Sequence, residues 1–158
     1  MANDRIYTVE FEAVAVTTTV DFFELTPADD KPIKVVGIFL AQSSDVGDAQ
    51  SEILRWQVIR GFTASGSGGA APTPTPLDRS GAAAGFTAET CNTTLATTGT
   101  TTNLHSDCFN VMTGLALWLP EGCEWSASQG NTTLVVRLKA APADSLTMSG
   151  TLYVTEQG

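Results

Sequence analysis

Alternation of apolar and polar residues predicts that the chain folds as a series of short β-strands. Residues 5–16 alternate with period two, as a half-buried strand does. The apolar positions of this first strand are Tyr7, Val9, Phe11 and Ala13. Residues 33–41 are nearly continuously apolar, which predicts a central strand covered on both faces. Gly37 inside that run indicates a bulge or a close approach of another backbone.

Residues 52–60 could form a strand or belong to a helix. A helix beginning near Ser44 is the alternative, because residues 48–55 include good helix formers. The β-favouring residues at 56–59 favour the strand. Further strands are predicted at residues 20–25, 86–92, 103–112, 115–119, 123–128, 133–139 and 146–155. About eight to ten strands separated by turn signals predict an all-β fold, an antiparallel sandwich or barrel.

One long segment, residues 61–81, interrupts this pattern. It contains Ser-Gly-Ser-Gly-Gly followed by Pro-Thr-Pro-Thr-Pro. Glycine and serine make the first part flexible, whereas alternating prolines favour an extended conformation in the second. Two separate halves would have too few strands each, so we expect one domain over residues 1–158 with a long loop at 61–81.

Charge is sparse but strongly one-sided. The 158 residues include 17 acids and 8 bases, a net charge of −9, and only 16% of them are charged. Binding of DNA or RNA needs a basic patch, so nucleic acid is not an expected partner, and an anionic membrane is disfavoured for the same reason. Threonine and serine replace much of the missing charge and favour pleated, half-buried surfaces. We expect neither a signal peptide nor a membrane span, and therefore synthesis in a cytoplasm.

Few residues offer chemistry. Cys91, Cys108 and Cys123 are spaced by 17 and 15 residues, which fits neither a zinc knuckle nor a disulfide framework, and free thiols are expected. His105 and Cys108 would point to opposite faces of a strand, so they do not form a nucleophile pair. We therefore expect no enzyme activity, no catalytic residue, no metal site and no cofactor.

Other motifs have a simple structural explanation. The acidic pairs Asp29–Asp30 and Asp45–Asp48 could contribute to a calcium site but match no calcium-loop spacing. Residues 65–69 resemble a phosphate loop without its lysine, and a flexible connection is expected instead. Glycosylation sequons begin at Asn92 and Asn131, but no leader would deliver them to the modifying enzyme.

The tryptophans leave alternatives open. Trp56 is in phase with Leu54 and Val58 and is expected in the core. Trp118 and Trp125 flank a Pro-Glu-Gly turn. This pair could lie at the edge of the core, anchor a protein interface, or stack on a sugar ring.

Several segments resemble small virion proteins of tailed bacteriophages. They are Ala-Asn-Asp-Arg-Ile-Tyr-Thr-Val-Glu-Phe, Leu-Thr-Pro-Ala-Asp-Asp-Lys-Pro before an apolar strand, Gln-Ser-Ser-Asp-Val-Gly-Asp-Ala, and Ala-Ala-Pro-Ala-Asp-Ser-Leu-Thr-Met-Ser-Gly-Thr-Leu-Tyr-Val. Some similar proteins are head decoration, or cement, proteins. The resemblance implies a jelly-roll-like β-sandwich on the outside of the capsid, a trimer, and the major capsid protein as partner.

This resemblance gives the long loop and the tryptophans an expected role. The loop would act as an arm that reaches a neighbouring subunit, and the acids would lie on the solvent side. The candidate interface residues are Pro72, Pro74, Pro76, Leu77, Trp118 and Trp125. The alternative function is a carbohydrate- or receptor-binding sandwich of a phage virion or tail, with Trp118 and Trp125 stacking on the sugar.

Overall fold

The computed structural model describes residues 5–44, 52–128 and 132–158. All regular structure in these residues is β-strand, which confirms the all-β prediction. The strands are β1 (Arg5–Val16), β2 (Asp21–Thr26), β3 (Ile33–Gln42), β4 (Ile53–Phe62), β5 (Thr75–Pro76), β6 (Thr87–Asn92), β7 (Thr102–Asn110), β8 (Leu115–Trp118), β9 (Trp125–Ala127), β10 (Thr133–Leu138) and β11 (Leu146–Glu156).

Two antiparallel sheets pack face to face. The sheet that contains β1, called the β1 sheet, has the order β5-β1-β11-β3-β8, and β9 pairs with a second part of β3. The β2 sheet has the order β6-β2-β10-β4-β7. The chain crosses repeatedly between the sheets, and the last strands, β10 and β11, lie inside rather than at the edges. Without β5, β6 and β9, this is the eight-stranded order of a jelly roll.

The local patterns account for most strand positions. Gly37 lies at an irregularity in the pairing of β3 with β11, as its place in the apolar run predicts. Ala13 is a correction, because it does not continue the inward face of β1. It adopts a positive φ of 51° at a bulge between Phe11 and Val14, and its side chain is exposed.

The core lies between the two sheets. Its largest completely buried side chains include Trp56 and Tyr7, and Trp56 is core as predicted. The inward residues of β1 pack on the β2 sheet, where the rings of Phe11 and Phe22 are parallel with centroids 6.1 Å apart. Burial of this aromatic surface is the main stabilising term of the fold.

The long loop does not project from the body, which corrects the expectation of an arm. Its first part pairs with β6 and the segment after it, through the bridges Ala64–Thr97, Ser67–Thr94 and Ala70–Thr90. Its second part forms β5 on the edge of β1, and the Leu77 N–H donates to the Ile6 carbonyl at 2.9 Å. The loop therefore connects the edges of both sheets.

The first part of the loop also adds a layer to the β2 sheet. Val135 and Ile59 alternate with inward residues of β10 and β4, so they face outward, yet both are buried. They form a second apolar cluster with Phe62 and Ala96. The outer face of the β2 sheet is thus covered by the chain itself at this point.

No helix in the described part of the chain is long and apolar enough to cross a membrane.

Candidate functional site

The outer face of the β1 sheet carries the most prominent exposed aromatic group of the described structure. Phe39 on β3, Trp118 on β8 and Tyr153 on β11 project from this face. We call these three residues the aromatic cluster. Ring centroids are 4.8 Å apart for Trp118–Tyr153, 5.2 Å for Phe39–Trp118 and 5.8 Å for Phe39–Tyr153. These distances and the tilted or edge-on ring planes are those of favourable aromatic pairs.

Trp118 is held in place although 59% of it is exposed. Its indole lies over Gly37, where an added Cβ would be 2.6 Å from the ring. Gly37 is directly opposite Trp118 on β8 and opposite Tyr153 on β11. The missing side chain at Gly37 therefore creates the space in which the indole packs flat against the sheet. One face of the ring is supported and the other is open to a partner.

A second exposed apolar pair lies at the opposite edge of the same face. Leu77 is 57% exposed and its neighbour Ile6 is 41% exposed. The pairing register places Thr8 beside Tyr153, so the outer face between Leu77 and Trp118 is formed by threonine and tyrosine side chains and carries few charges. Glu10 and Glu12 lie farther along β1, at one corner of this face.

The structure brings together two of the candidate interface residues and separates the others. Leu77 and Trp118 share the outer face of the β1 sheet. Pro72 and Pro76 are half-buried, and Pro74 is buried in its own chain, so it is not available as a contact for a neighbour. Phe39 and Tyr153 were missed by the sequence reasoning. The sequence could have revealed them, because each is an aromatic residue at a strand position that alternates with the buried ones.

Trp125 is also buried and does not pair with Trp118. It belongs to β9 and contacts Trp56 at a centroid distance of 5.8 Å and His105 at 5.2 Å. His105 lies in turn 5.0 Å from Trp56, so these rings close one side of the sandwich. The sugar-stacking pair of Trp118 and Trp125 is therefore not formed. Asp107 lies beside His105, with 3.7 Å between Nε2 and Oδ2.

Three buried carboxylates hold the loops on the body, and the sequence pattern did not reveal them. Asp21 accepts two hydrogen bonds from Arg137, at 2.6 Å from Nε and 2.9 Å from Nη2. The Ala96 N–H donates to Asp21 at 2.8 Å, and Arg137 donates to the Ala96 carbonyl at 2.8 Å. The guanidinium also lies 4.7 Å from the centre of the Phe62 ring. Asp21 thereby fixes the segment that covers the β2 sheet.

Glu24 fixes the first part of the long loop, and Glu156 fixes the residues that follow the loop before β6. Glu24 accepts hydrogen bonds from the Ser65 hydroxyl at 2.6 Å and from the Gly66 N–H at 3.1 Å. Glu156 accepts hydrogen bonds from the N–H groups of Gly85 and Phe86, at 2.7 and 3.1 Å. The expectation that the acids lie on the solvent side is therefore wrong for these residues, which are at most 2% exposed.

The remaining candidates for metal or ligand chemistry lie apart. Asp29 and Asp30 are exposed in a turn, whereas Asp45, Asp48 and the sequon residue Asn131 lie outside the described residues. Within residues 5–44, 52–128 and 132–158, no group of three or more metal-ligating side chains is close enough to hold an ion. Residues 65–69 serve as part of the covering layer rather than as an anion loop.

The cysteines differ in their environments. Cys91 is buried in β6, and burial raises the pKa of its thiol to about 12, because the thiolate would lose its hydration. Cys108 and Cys123 are exposed free thiols.

Thiol labelling will test this difference. At pH 8 we expect an aromatic disulfide reagent to modify Cys108 and Cys123 in the native protein and to leave Cys91 unmodified, because a thiol with so high a pKa supplies almost no thiolate. All three should react in denaturant. Rapid labelling of three thiols in the folded chain would contradict the buried position of Cys91.

No protein-family model and no curated protein matches this chain at a significant level.

Proposed function

We propose that this protein is a structural subunit of a bacteriophage particle, which binds the exterior of the head shell as a decoration protein. The observation that carries the proposal is the outer face of the β1 sheet, which is sparsely charged and exposes Trp118 at one edge and Leu77 with Ile6 at the other. The resemblance of several segments to small virion proteins supports the same assignment. The proposed partner is the major capsid protein, and the proposed assembly on the shell is a trimer.

The asymmetry of the sandwich supports attachment through this face. Self-contacts cover Val135 and Ile59 on the β2 sheet, where Ile53 is exposed at the end of β4, whereas the β1 sheet leaves Leu77, Ile6 and Trp118 exposed. Large exposed apolar patches mark interaction sites on soluble proteins. Exposed aromatic residues are also enriched among the residues that contribute most to binding. A partner can cover the centre of this face while desolvating few charges.

The size of the face favours attachment of several copies. With ordinary strand spacing and rise, it is roughly 19 Å wide from β5 to β8 and roughly 36 Å long along β11. Because β5 and β8 are much shorter than β11, the face is smaller than this rectangle of roughly 700 Å² and smaller than the ~800 Å² that each partner contributes to a standard protein interface. Neighbouring subunits in a trimer would add contacts, so modest affinity of one copy would be strengthened by multivalency.

Binding to empty head shells tests the proposal directly. The purified protein should sediment with shells assembled from the major capsid protein of the same phage, and saturation should occur at a fixed ratio. A particle map should place the outer face of the β1 sheet against the shell. Absence of the protein from the head in that map, or no binding to saturating shells, would contradict the proposal.

Leu77 provides a prediction about the long loop. Because the loop is hydrogen-bonded into the fold, a substitution tests it better than a deletion. Leu77→Ser should weaken shell binding about fivefold or more, since it removes an exposed apolar contact, and should change stability by less than about 0.5 kcal/mol. Titration of shells and thermal unfolding measure the two effects. Equal binding by this variant and the wild type would exclude Leu77 from the interface.

A carbohydrate-binding function is the second candidate, and the aromatic cluster favours it. The open face of Trp118 could stack on a sugar ring, with Tyr153 beside it. A glycan array with the wild-type protein separates this function from the first one. Specific sugar binding that quenches tryptophan fluorescence, combined with no binding to shells, would favour the carbohydrate-binding function.

A further inference from the structure

β1 has an open edge beyond the short strand β5. β5 pairs only with Tyr7 and Thr8, whereas β1 continues to Val16. In the described ranges, no other strand pairs with this side of β1. An open strand edge presents backbone donors and acceptors that another extended segment can pair with.

The direction of these backbone groups follows from the existing pairing. The Leu77 N–H donates to the Ile6 carbonyl, so Ile6 turns its backbone groups toward β5. In an antiparallel ladder alternate residues bond to the same neighbour. Glu10 and Glu12 share this alternation with Ile6, and therefore turn their N–H and C=O groups toward the open edge.

A groove runs beside this edge, between the two sheets. Its volume is about 440 Å³, which is within the range of ligand sites in proteins. One wall consists of β1 residues 10–15, and the other consists of residues 68–70 and Pro72 of the long loop. Phe11 and Cys91 contribute apolar surface between the walls. The groove can therefore take the inward side chains of an added strand.

Charge determines which kind of segment fits. Glu10 and Glu12 are exposed at the edge, and no lysine or arginine is among the residues that line the groove. A second copy of the same edge would bring like carboxylates together, which disfavours pairing between two copies of this chain. A segment with lysine or arginine on its outward side and apolar residues on its inward side is complementary to the site.

We infer that the open edge of β1 accepts an extended basic segment of another protein, which adds a strand beside Glu10 and Glu12. The added strand would occupy the position that continues β5, with its apolar side chains in the groove. This is strand addition, in which backbone bonds provide affinity and alternate side chains provide specificity. The inference does not depend on the proposed attachment of the outer face of the β1 sheet to a shell.

Peptide binding to the full chain will test the inference. The probe is a fluorescein-labelled acetyl-Thr-Lys-Val-Lys-Val-Lys-Thr-amide, and the control peptide has glutamate in place of lysine. By fluorescence anisotropy we expect the lysine peptide to bind at least about tenfold more tightly, and to weaken at about 0.5 M salt. Hydrogen exchange of the Glu10 and Glu12 amides should slow at least about tenfold in the complex.

Two pairs of charge reversals separate this site from the general negative charge of the protein. The double variant Glu10→Lys, Glu12→Lys should reverse the preference for the two peptides. The matched control Asp29→Lys, Asp30→Lys changes the net charge equally, in an exposed turn, and should keep the preference of the wild type. The double variant Glu10→Gln, Glu12→Gln removes both carboxylates without adding positive charge, and it should weaken binding of the lysine peptide. It replaces the lysine variant in this test if the charge reversal affects folding.

Three results would overturn the inference. The first is equal binding of the lysine and glutamate peptides to the wild-type chain. The second is an equal effect of the two charge-reversed variants, which would indicate attraction without a defined site. The third is peptide binding without slower exchange at Glu10 and Glu12, since strand addition must protect these amides.

Discussion

Replacing Trp118 with alanine should weaken binding to head shells by at least about 30-fold, while the protein remains folded. Truncation of an aromatic residue that anchors an interface costs about 2 kcal/mol or more of binding free energy. Trp118 is the most exposed member of the aromatic cluster, and its supported indole needs little ordering when a partner covers it. Co-sedimentation over a range of shell concentrations measures the loss.

Ile53→Ala is the matched control for this experiment. Ile53 is 64% exposed, but it lies on β4 in the other sheet, so its removal should leave shell binding unchanged. Ile53→Ala should change the free energy of unfolding by about 0.5 kcal/mol. Trp118→Ala also loses the ring pairs with Phe39 and Tyr153, each worth about 0.5–1.5 kcal/mol, so it should lower the unfolding temperature by several degrees and still leave the protein folded. Unchanged binding of a folded Trp118→Ala protein would exclude the outer face of the β1 sheet as the attachment surface.

Asp21→Ala should reduce the free energy of unfolding by about 3–5 kcal/mol, because it leaves a largely buried guanidinium without its carboxylate. The side chain of Arg137 is only 13% exposed, and the Ala96 N–H also loses its acceptor. For a chain of this size the corresponding decrease in unfolding temperature is roughly 6–20 °C. Urea unfolding and differential scanning calorimetry measure the two quantities.

Asp144→Ala serves as the control for Asp21. Asp144 is exposed, so its loss should change the free energy of unfolding by less than about 0.5 kcal/mol. Asp21→Asn should be intermediate, because the amide oxygen can still accept the Ala96 N–H or an Arg137 hydrogen bond. If Asp21→Ala were as stable as the wild type, the ion pair would not be what fixes the segment around Ala96.

The pattern of apolar and polar residues was sufficient to predict the all-β fold and the strands other than β5, which lies in the segment predicted as a loop. Successive side chains of a strand point to opposite faces, so the apolar residues that are buried occur at every second position. This alternation can be recognised within a single short segment of the sequence. Gly37 was also readable as an irregular position. The same reasoning failed at Ala13, because the bulge that displaces it depends on the pairing of β1 with β11.

The candidate site was less predictable, because its parts come from distant segments. Leu77 and Trp118 share a face only after three intervening strands are ordered between them. Composition suggested a flexible arm at residues 61–81, but a hydrogen bond to Glu24 holds its first part to the body, and a hydrogen bond from Gly85 to Glu156 holds the chain just after it. A local pattern does not show that a carboxylate 41 or 71 residues away will accept those bonds.

The central positions of β10 and β11 have a consequence for the order of folding. β11 lies between β1 and β3, and β10 lies between β2 and β4, so neither sheet can close before the last strands of the sequence are available. During synthesis, the earlier strands have open edges and exposed apolar faces until β10 and β11 have been translated. Pairing at such long sequence separation is slow. We therefore expect the chain to fold after its translation, and partially synthesised chains to aggregate readily.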